Sequence, residues 1–295
     1  MNFVCGIDGG GTSTKVLLRW EDGRRLEKRF GPFNINSIGA QGLEALLREI
    51  MDFLNTHGTC CGLCVGAAGA SNANVAQILK AETERAGIGR YLLVGDQDIA
   101  LRGALGKTPG MALIAGTGSI CLGINAAGEK KRVGGWGHLV GDEGSGYALG
   151  SAAVRAITHA LDGTGPQTVL CKAAEKWFSP NSRDSLVRYV YGGDKSRLAA
   201  LAPAVLDAAS HGDAVSQKIV EDNIQALCRM AQTVFEALGF EQAKLALLGG
   251  LLENPFYRVQ LQARLKEQES HITCVSPYAS AVEGAADMAQ DLNEA

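Results

Sequence analysis

Short apolar runs alternate with glycine-rich and polar turns through the first part of the chain. Residues 3–8 form an apolar run that ends at Asp8, the string GGGTSTK follows, and the apolar run VLLRW comes next. A polar turn at 21–23 then leads into RRLEKRF. Apolar runs of this length, bounded by glycine and polar clusters, are typical of β-strands. The pattern therefore predicts three consecutive strands joined by short turns.

The same order of features returns roughly a hundred residues later. The run ALIA, which begins at position 112, leads into GTGS and then ICLGIN. A turn at 126–128 and the segment EKKRVGG follow. Because four consecutive features match in order, we interpret the pattern as an internal duplication of one hairpin-containing unit.

Apolar residues recur at helical spacing between and after these two regions, and the second half of the chain is richer in such segments. Asn72 or Asn74 is the expected N-cap of the second predicted helix. Strands that alternate with helices indicate a layered α/β protein. The predicted helices are 41–54, 74–86, 99–105, 145–161, 167–177, 197–209, 214–238, 255–268 and 280–292, and the predicted strands among them are 61–69, 91–95, 244–248 and 271–276.

Composition and charge exclude several classes of protein. The chain has 295 residues, of which 46% are hydrophobic, and this suits two compact domains better than one. The formal net charge of −3 provides no basic surface for nucleic acid and no polybasic membrane signal. No signal peptide is recognisable, and no apolar run reaches the roughly 20 residues that span a bilayer. We therefore expect a cytoplasmic protein without nucleic-acid or membrane partners.

The glycine string after Asp8 matches neither of the common nucleotide-binding loops. It opens a strand, whereas the dinucleotide fingerprint opens a helix, and a Walker A loop needs Gly-Lys-Ser/Thr before a helix. Glycines in a hairpin turn let backbone N–H groups approach phosphate oxygens, and hydroxyl groups add donors. Asp8 is the expected Mg²⁺ ligand, directly or through water. The candidate phosphate-binding residues are Gly10, Gly11, Thr12, Ser13 and Lys15 in the first hairpin and Gly116, Thr117, Gly118 and Ser119 in the second.

These motifs resemble those of the actin/hexokinase/Hsp70 superfamily. GIDGGGTSTK and LIAGTGS are similar to its two phosphate motifs, ALLGGLLEN to its adenosine motif, and GAAGAS and ASAVEGAAD to its two connecting segments. The resemblance implies two ribonuclease H-like α/β domains of the actin/hexokinase-like fold, with a cleft between them for ATP and a sugar. The resemblance also implies that Gly249 and Gly250 contact the adenosine of ATP. It also implies a first domain of 1–108 completed by a C-terminal helix at 280–295, and a second domain of 109–279.

Within that superfamily, the chain resembles the BadF/BadG/BcrA/BcrD ATPase family, which includes N-acetylglucosamine kinases. The stretch that carries this resemblance is GGWGHLVGDEGSGYALG, from position 134. The resemblance implies that Trp136 and Asp142 contact the sugar, with the backbone of Gly135 beside them. Helix capping would explain an acid here, but not the tryptophan and the flanking glycines. The family resemblance also implies a sugar-binding asparagine, Asn34 or Asn36, although turn chemistry alone would explain either residue.

The expected general base is Asp96. The segment VGDQDIALRGA offers two carboxylates, and Asp96 ends the predicted strand and matches the family's base by its spacing to Ala100 and Ala104. Asp98 is expected to be the helix N-cap. The predicted function is phosphorylation of N-acetylglucosamine, or of a related amino sugar or hexose, at the 6-hydroxyl with ATP and Mg²⁺. A homodimer is expected only by analogy with relatives.

Other functions remain open at this point. Activator ATPases of the same family drive electrons into acyl-CoA reductases or dehydratases and hold an iron–sulfur cluster with cysteines at a dimer interface. This chain has eight cysteines, but none lies just before Gly116. Cys61 and Cys64 would point to opposite faces of one strand. A non-catalytic sugar sensor on a kinase scaffold is a third alternative. Ile120 stands where a polar residue is expected in an N-acetylglucosamine kinase, which leaves the exact sugar open.

Overall fold

A computed structural model describes residues 1–179 and 182–294, and its strands form two five-stranded sheets. The strands of the first sheet are β1 (Asn2–Gly9), β2 (Thr14–Trp20), β3 (Arg25–Phe30), β4 (Thr59–Ala67) and β5 (Tyr91–Val94). The strands of the second sheet are β6 (Gly110–Ala115), β7 (Ser119–Ile124), β8 (Lys130–Gly134), β9 (Ala243–Leu248) and β10 (Ile272–Val275).

Helices connect and cover these strands. No helix in the described ranges is long and apolar enough to cross a membrane. Short 3₁₀ turns lie at Ala174–Lys176 and Gly250–Glu253. The α-helices are α1 (Ile35–Asn55), α2 (Ala73–Arg85), α3 (Asp96–Leu105), α4 (Gly146–Leu161), α5 (Leu170–Ala173), α6 (Arg183–Tyr191), α7 (Lys195–Ala199), α8 (Ala202–Ser210), α9 (Ala214–Ala237), α10 (Pro255–Gln268) and α11 (Ala281–Glu294).

The chain divides into two compact units. The first joins Met1–Thr108 to Ser276–Ala295, and the second is Pro109–Val275. The two sheets have the same topology, with strand order β3-β2-β1-β4-β5 in the first and β8-β7-β6-β9-β10 in the second. In each sheet the first three strands pair antiparallel, and the last two run parallel to the central strand. This repeated order agrees with the duplication that the two hairpins predict.

One face of the first sheet packs against α1 and α2. The apolar stripe predicted for 41–54 is buried at Leu43, Leu47 and Ile50, which join Ile7 and Leu18 of the sheet in one core. The helix begins earlier than predicted, because residues 35–38 already form a turn of helix before a non-helical glycine at position 39 (φ 69°). The buried stripe therefore fixes α1 against the sheet. The first residue of the helix was predicted wrongly.

The opposite face of the first sheet is covered by α11. The backbone of α11 approaches β1 so closely that a Cβ on Gly6 would overlap the backbone of Ala286. Small residues make this contact possible, because only a glycine or alanine surface lets a helix approach a strand at this distance. An ion pair between Arg19 and Asp287 over 2.6 Å adds a polar contact at the edge. The first unit therefore consists of two segments that are distant in sequence.

The second sheet packs against α9, and α4 and α8 pack against α9 in the same core. Leu113 and Cys121 of the sheet lie fully buried against Leu149 of α4 and Leu227 and Val234 of α9. The long predicted helix at 214–238 is confirmed as α9, with Asp213 as its N-cap. This core fixes β6, β7 and the segment between β8 and α4, which carry most of the candidate residues of the second unit.

Two helical predictions in the second unit were wrong in detail, and one helix was missed. The stretch 167–177 contains only the short α5 and a 3₁₀ turn. The predicted helix at 197–209 is broken into α7 and α8, and Pro203 lies in the first turn of α8, where a missing N–H is tolerated. Helix α6 was not predicted, although Leu186, Tyr189 and Val190 lie at helical spacing and pack partly buried against the core.

Candidate active site

The turn between β1 and β2 presents backbone donors at an open tip. The N–H of Gly10 donates to the carbonyl of Ser13 over 3.1 Å, and the N–H of Phe33 donates to the carbonyl of Gly10 over 2.9 Å. Gly11 and Thr12 are exposed at the tip, and no atom lies within 4 Å of where a Cβ on Gly11 would be. The predicted phosphate hairpin therefore has an ordered base and an accessible tip, as an anion site requires.

Asp8 and Asp96 lie at the same edge of the first sheet. Asp8 pairs with Lys15 across the β1–β2 ladder, and the parallel register aligns Asp8 with Gly66 and Gly66 with Val94. Asp96 follows two residues after Val94, so both carboxylates emerge at the carboxyl ends of parallel strands. Burial raises the pKa of Asp8, the Lys15 ammonium lowers it and the Asp96 carboxylate raises it. The two carboxylates are therefore close enough to interact electrostatically.

Asp96 is the first residue of α3. The N-cap of this helix is Gly95, so the expectation that Asp98 would be the N-cap was wrong. The physical reason is that Gly95 takes an extended conformation directly after β5, which lets the helix begin at Asp96. Burial by the surrounding protein raises the pKa of Asp96 although the residue remains accessible. Its Oδ1 accepts a hydrogen bond from the N–H of Gln97 over 3.0 Å, which opposes that rise.

Asn34 caps α1 immediately after the first hairpin. Its Oδ1 accepts from the N–H of Asn36 over 3.1 Å, and its carbonyl accepts from the hydroxyl of Ser37. Asn34 is half-buried and Asn36 is exposed. The link from Phe33 to Gly10 holds Asn34 beside the first phosphate turn. The capping explanation that the sequence left open therefore applies to Asn34, whose amide nitrogen makes no hydrogen bond within the described part of the chain.

The second hairpin turn is held by the segment that leads into α4. The N–H of Gly116 donates to the carbonyl of Gly118 over 2.9 Å, and Gly135 N–H donates to Ser119 O over 3.1 Å. The Ser119 hydroxyl donates to the carbonyl of Glu143 over 2.6 Å. These bonds bring the candidate residues of the second turn together with the 134–145 loop, which connects β8 to α4.

The 134–145 loop exposes an unusual amount of apolar surface. Trp136 is 72% exposed, Leu139 83% and Val140 74%. The guanidinium of Arg132 lies 5.6 Å from the ring centroid of Trp136. His138 packs edge-on against Tyr147 at 4.9 Å, which gives this histidine a structural contact. Trp136 therefore does not serve as a core residue, and its ring is available to a ligand.

Asp142 is buried, whereas Trp136 is exposed. Asp142 is 3% exposed, and its carboxylate faces the second turn, where Oδ1 accepts from the N–H of Ser119 over 3.3 Å. A Cβ on Gly118 would lie 2.9 Å from Oδ2 of Asp142, so a larger residue at position 118 would require this carboxylate to shift. The loop thus holds one accessible candidate, Trp136, and one buried candidate, Asp142.

Gly249 and Gly250 follow β9 beside the second turn. Gly249 has φ 95°, and a Cβ there would overlap the carbonyl oxygen of Ala115, the residue directly before Gly116. Gly250 opens the 3₁₀ turn Gly250–Glu253, and no atom lies within 4 Å of the place that a Cβ would take on it. The paired glycines therefore perform two tasks, since Gly249 permits close packing and Gly250 leaves an open backbone surface for a ligand.

The model of the BadF/BadG/BcrA/BcrD ATPase family matches residues 5–289. The chain belongs to this family. The resemblance seen in the glycine motifs is thereby confirmed, and use of ATP follows from the family.

Two curated relatives and two solved structures illustrate the similarity. The chain is 36% identical to the N-acetylmuramic acid/N-acetylglucosamine kinase of Clostridium acetobutylicum, over 87% of this chain and 88% of that protein. It is 30% identical to the N-acetyl-D-glucosamine kinase of Dictyostelium discoideum, over 85% and 86% of the two chains. A Chromobacterium violaceum structure assigned as an N-acetylglucosamine kinase superposes with TM-score 0.78 at 26% identity, covering 96% of this chain and 97% of that one. A Streptomyces griseus glucokinase of the ROK family, at TM-score 0.58 and 17% identity over 99% and 100%, confirms the actin/hexokinase-like fold.

Two residues of this BadF-family protein that support the 134–145 loop were missed from the sequence. Tyr257 of α10 is fully buried, and its hydroxyl donates to the carbonyl of Gly144 over 3.0 Å. Asn223 of α9 accepts from the N–H of Gly144 over 2.9 Å. Burial raises the pKa of the Tyr257 hydroxyl, which therefore stays protonated as a donor. No local motif signals either role, because the partners are 113 and 79 residues apart in sequence.

Proposed function

We propose that the protein is an ATP-dependent kinase that phosphorylates N-acetylglucosamine at the 6-hydroxyl. The observation that carries the proposal is the pair of carboxylates, Asp8 and Asp96, at one sheet edge beside the open β1–β2 turn. A phosphoryl-transfer site needs one acid near the metal and phosphates and another that accepts the proton of the attacking hydroxyl. The names of the Clostridium and Dictyostelium relatives support the choice of sugar.

The residues present fit a magnesium ion at Asp8. Mg²⁺ is bound in such sites by one or two carboxylates together with phosphate oxygens. Asp8 is partly buried, and the charge of Asp96 disfavours its ionised form, so a divalent cation would offset both effects. When bound, the ion supplies neutralisation of the phosphate charge. Asp8 would hold it, directly or through water.

Asp96 is the proposed general base. It accepts the proton of the sugar hydroxyl as the new oxygen–phosphorus bond forms and the bond to ADP breaks, so ADP leaves with the electron pair. The N–H groups of the turns at 10–13 and 116–119 hold the phosphates, and Lys15 adds a positive charge. Gly249 and Gly250 form the surface for the adenosine. Positioning and charge neutralisation account for most of the rate acceleration in this type of reaction.

The sugar-binding residues are proposed to be Asn34, Asn36, Gly135, Trp136 and Asp142, together with Asp96. The exposed ring of Trp136 suits the C–H face of a pyranose. The half-buried amide of Asn34 can donate to a sugar hydroxyl while its oxygen caps α1. Ile120 lies beside Gly135, because a Cβ on Gly135 would lie 2.8 Å from Cδ1 of Ile120. An apolar side chain here favours a non-polar part of the sugar, such as an acetyl methyl group.

The decisive experiment measures ADP release from Mg-ATP in air with N-acetylglucosamine, glucosamine, N-acetylmannosamine, glucose or no sugar. Strong stimulation by N-acetylglucosamine is expected, and nuclear magnetic resonance of the product should show phosphate on the 6-oxygen. Slow hydrolysis that is indifferent to every sugar would reject the kinase proposal and favour an activator ATPase. Binding of a sugar without any turnover would instead indicate a sensor.

N-acetylmuramic acid is a second candidate substrate, and Arg132 is the observation that favours it. This sugar carries a lactyl ether at the 3-oxygen and is the other substrate in the name of the Clostridium relative. Arg132 stacks on the exposed ring of Trp136, and no described carboxylate forms an ion pair with it. A guanidinium beside a sugar-binding aromatic ring suits a substrate carboxylate.

The variant Arg132→Met tests this candidate against Lys131→Met. Lys131 carries the same charge on the neighbouring residue of β8, and successive strand residues point to opposite faces. Arg132→Met should lower kcat/KM for N-acetylmuramic acid by about 10- to 100-fold, the range expected for a charged hydrogen bond, and leave N-acetylglucosamine nearly unchanged. Equal losses for both sugars, or equal effects of the two variants, would reject a role in recognising the lactyl group.

A further inference from the structure

Asp142 has a conformation that its surroundings only partly satisfy. Among the described residues it is the one non-glycine residue with a positive φ, 64°. Its Oδ1 accepts from Ser119, whereas its Oδ2 is buried without any hydrogen-bond partner. A left-handed backbone and an unpaired buried carboxylate oxygen both disfavour this arrangement. Because Oδ2 is buried, a ligand can donate to it only after the carboxylate has moved, so such a ligand would stabilise a changed arrangement of this residue.

The second phosphate turn is bound to the same segment at both of its ends. The hydroxyl of Ser119 donates to the carbonyl of Glu143 over 2.6 Å, next to Asp142 in sequence. At the other end, the N–H of Gly146 donates to the carbonyl of Gly116 over 2.8 Å. Because these hydrogen bonds join the turn to the segment around Asp142, a shift of Asp142 would displace the N–H groups that are proposed to hold a phosphate.

We infer that Asp142 is a positioning residue through which sugar binding strengthens nucleotide binding. The inference rests on the proposed kinase function. A sugar hydroxyl supplies the donor that Oδ2 lacks. The rearranged carboxylate then moves the N–H of Ser119 and the rest of the turn into the position that binds the phosphates. Coupling between two ligands is reciprocal and typically changes affinity by about 5- to 150-fold. Without sugar, the turn is not in the position that binds the phosphates, and hydrolysis of ATP by water is therefore limited.

The test is a calorimetric titration of the full chain with a non-hydrolysable ATP analogue and Mg²⁺, with and without saturating N-acetylglucosamine. The sugar should lower the Kd of the analogue at least about fivefold in the wild type. Asp142→Asn keeps an oxygen for Ser119 but places an NH₂ group at the second position, and asparagine tolerates a positive φ. The enhancement by sugar should disappear in this variant.

Two further variants make the test independent of folding defects. Asp142→Gly accommodates the positive φ without strain and should also abolish the enhancement. Glu143→Gln is the matched control, because Glu143 holds Ser119 through its backbone carbonyl, and it should retain the enhancement. Retention of the enhancement in both Asp142 variants, or its absence from a wild type that phosphorylates the sugar, would overturn the inference. A wild type with no sugar-dependent turnover would instead reject the kinase function itself.

Discussion

The hydroxyl of Tyr257 donates a hydrogen bond to the carbonyl oxygen of Gly144 over 3.0 Å and so joins α10 to the 134–145 loop. On the other side of the same residue, the N–H of Gly144 donates to Asn223 of α9. Both backbone groups of one buried glycine are therefore held by side chains from two different helices. This arrangement supports the loop that carries Trp136 and Asp142 from beneath.

Replacement of Tyr257 by phenylalanine should destabilise the second unit. The change leaves the carbonyl of Gly144 buried without its donor, and an unsatisfied buried acceptor costs about 1–3 kcal/mol. Urea denaturation measures the change in the free energy of unfolding. Tyr278→Phe is the matched control, because Tyr278 is 86% exposed and its loss should cost less than about 0.5 kcal/mol. Equal stabilities of the two variants would show that the Tyr257 bond contributes nothing.

Replacement of Asp96 by asparagine should separate turnover from binding. An amide cannot accept the proton of the sugar hydroxyl, so kcat should fall by about 10²- to 10⁴-fold, the usual contribution of a general base. The KM for ATP should change little, since Asp96 is not proposed to hold the nucleotide. Steady-state kinetics with N-acetylglucosamine measures both values. Near-normal turnover would assign the base to another group.

The acid limb of the pH–rate profile should lie above the range of an ordinary aspartate. The active form of Asp96 is the carboxylate, and burial raises its pKa above 3.8, so activity is lost as pH falls through this raised pKa. The measurement is log kcat against pH with saturating substrates. An acid limb at or below 3.8 would show that burial does not control this group in the complex with substrates.

The same raised pKa predicts that the Asp96→Asn variant is more stable than the wild type at pH 7. The folded state binds the proton of Asp96 more tightly than the unfolded state, so the ionised carboxylate disfavours folding above the raised pKa. The difference in Tm should shrink as pH falls toward 3.8, where the carboxyl group is increasingly protonated in both states. Thermal melts of both proteins across this pH range provide the test. An equal Tm at pH 7 would contradict it.

A methyl group at position 6 should weaken the contact between β1 and α11. A Cβ on Gly6 would overlap the backbone of Ala286, and overpacking of a tight contact costs about 1–3 kcal/mol. Gly89→Ala is the control, because nothing lies within 4 Å of its Cβ position and Gly89 is exposed. Chemical denaturation of Gly6→Ala and Gly89→Ala compares the two. Similar free energies of unfolding would show that α11 can shift to accommodate the methyl group without loss of stability.

The sequence predicted the elements whose signal is a strong apolar pattern. The two hairpins, the stripe of α1 and the long α9 are apolar at regular spacing, and each is buried as expected. Helix α6 has a shorter stripe, Leu186, Tyr189 and Val190, which is only partly buried, and it was missed. The start of α3 was misplaced for a different reason, since the extended Gly95 moves the first helical residue to Asp96.

The composition of the candidate site was easier to predict than its geometry. The glycines and Asp8 predict a phosphate site because their chemistry is local to one turn. The direction of the Asp142 side chain is not local, since it depends on Gly118 and Ser119 of another hairpin. The support from Tyr257 is likewise determined by tertiary packing. Residue roles that depend on distant partners could not be derived from spacing in one sequence.

The position of α11 in the first unit affects the order in which a ribosome can complete the protein. The second unit is one continuous stretch, Pro109–Val275, and emerges whole before α11 has been made. Until then β1 and β4 lack the cover that Ala285 and Ala289 give to Val4 and Cys64. An uncovered apolar sheet face is prone to aggregation. The first unit therefore cannot complete its sheet cover until α11 has been synthesised, although most of its residues are synthesised first.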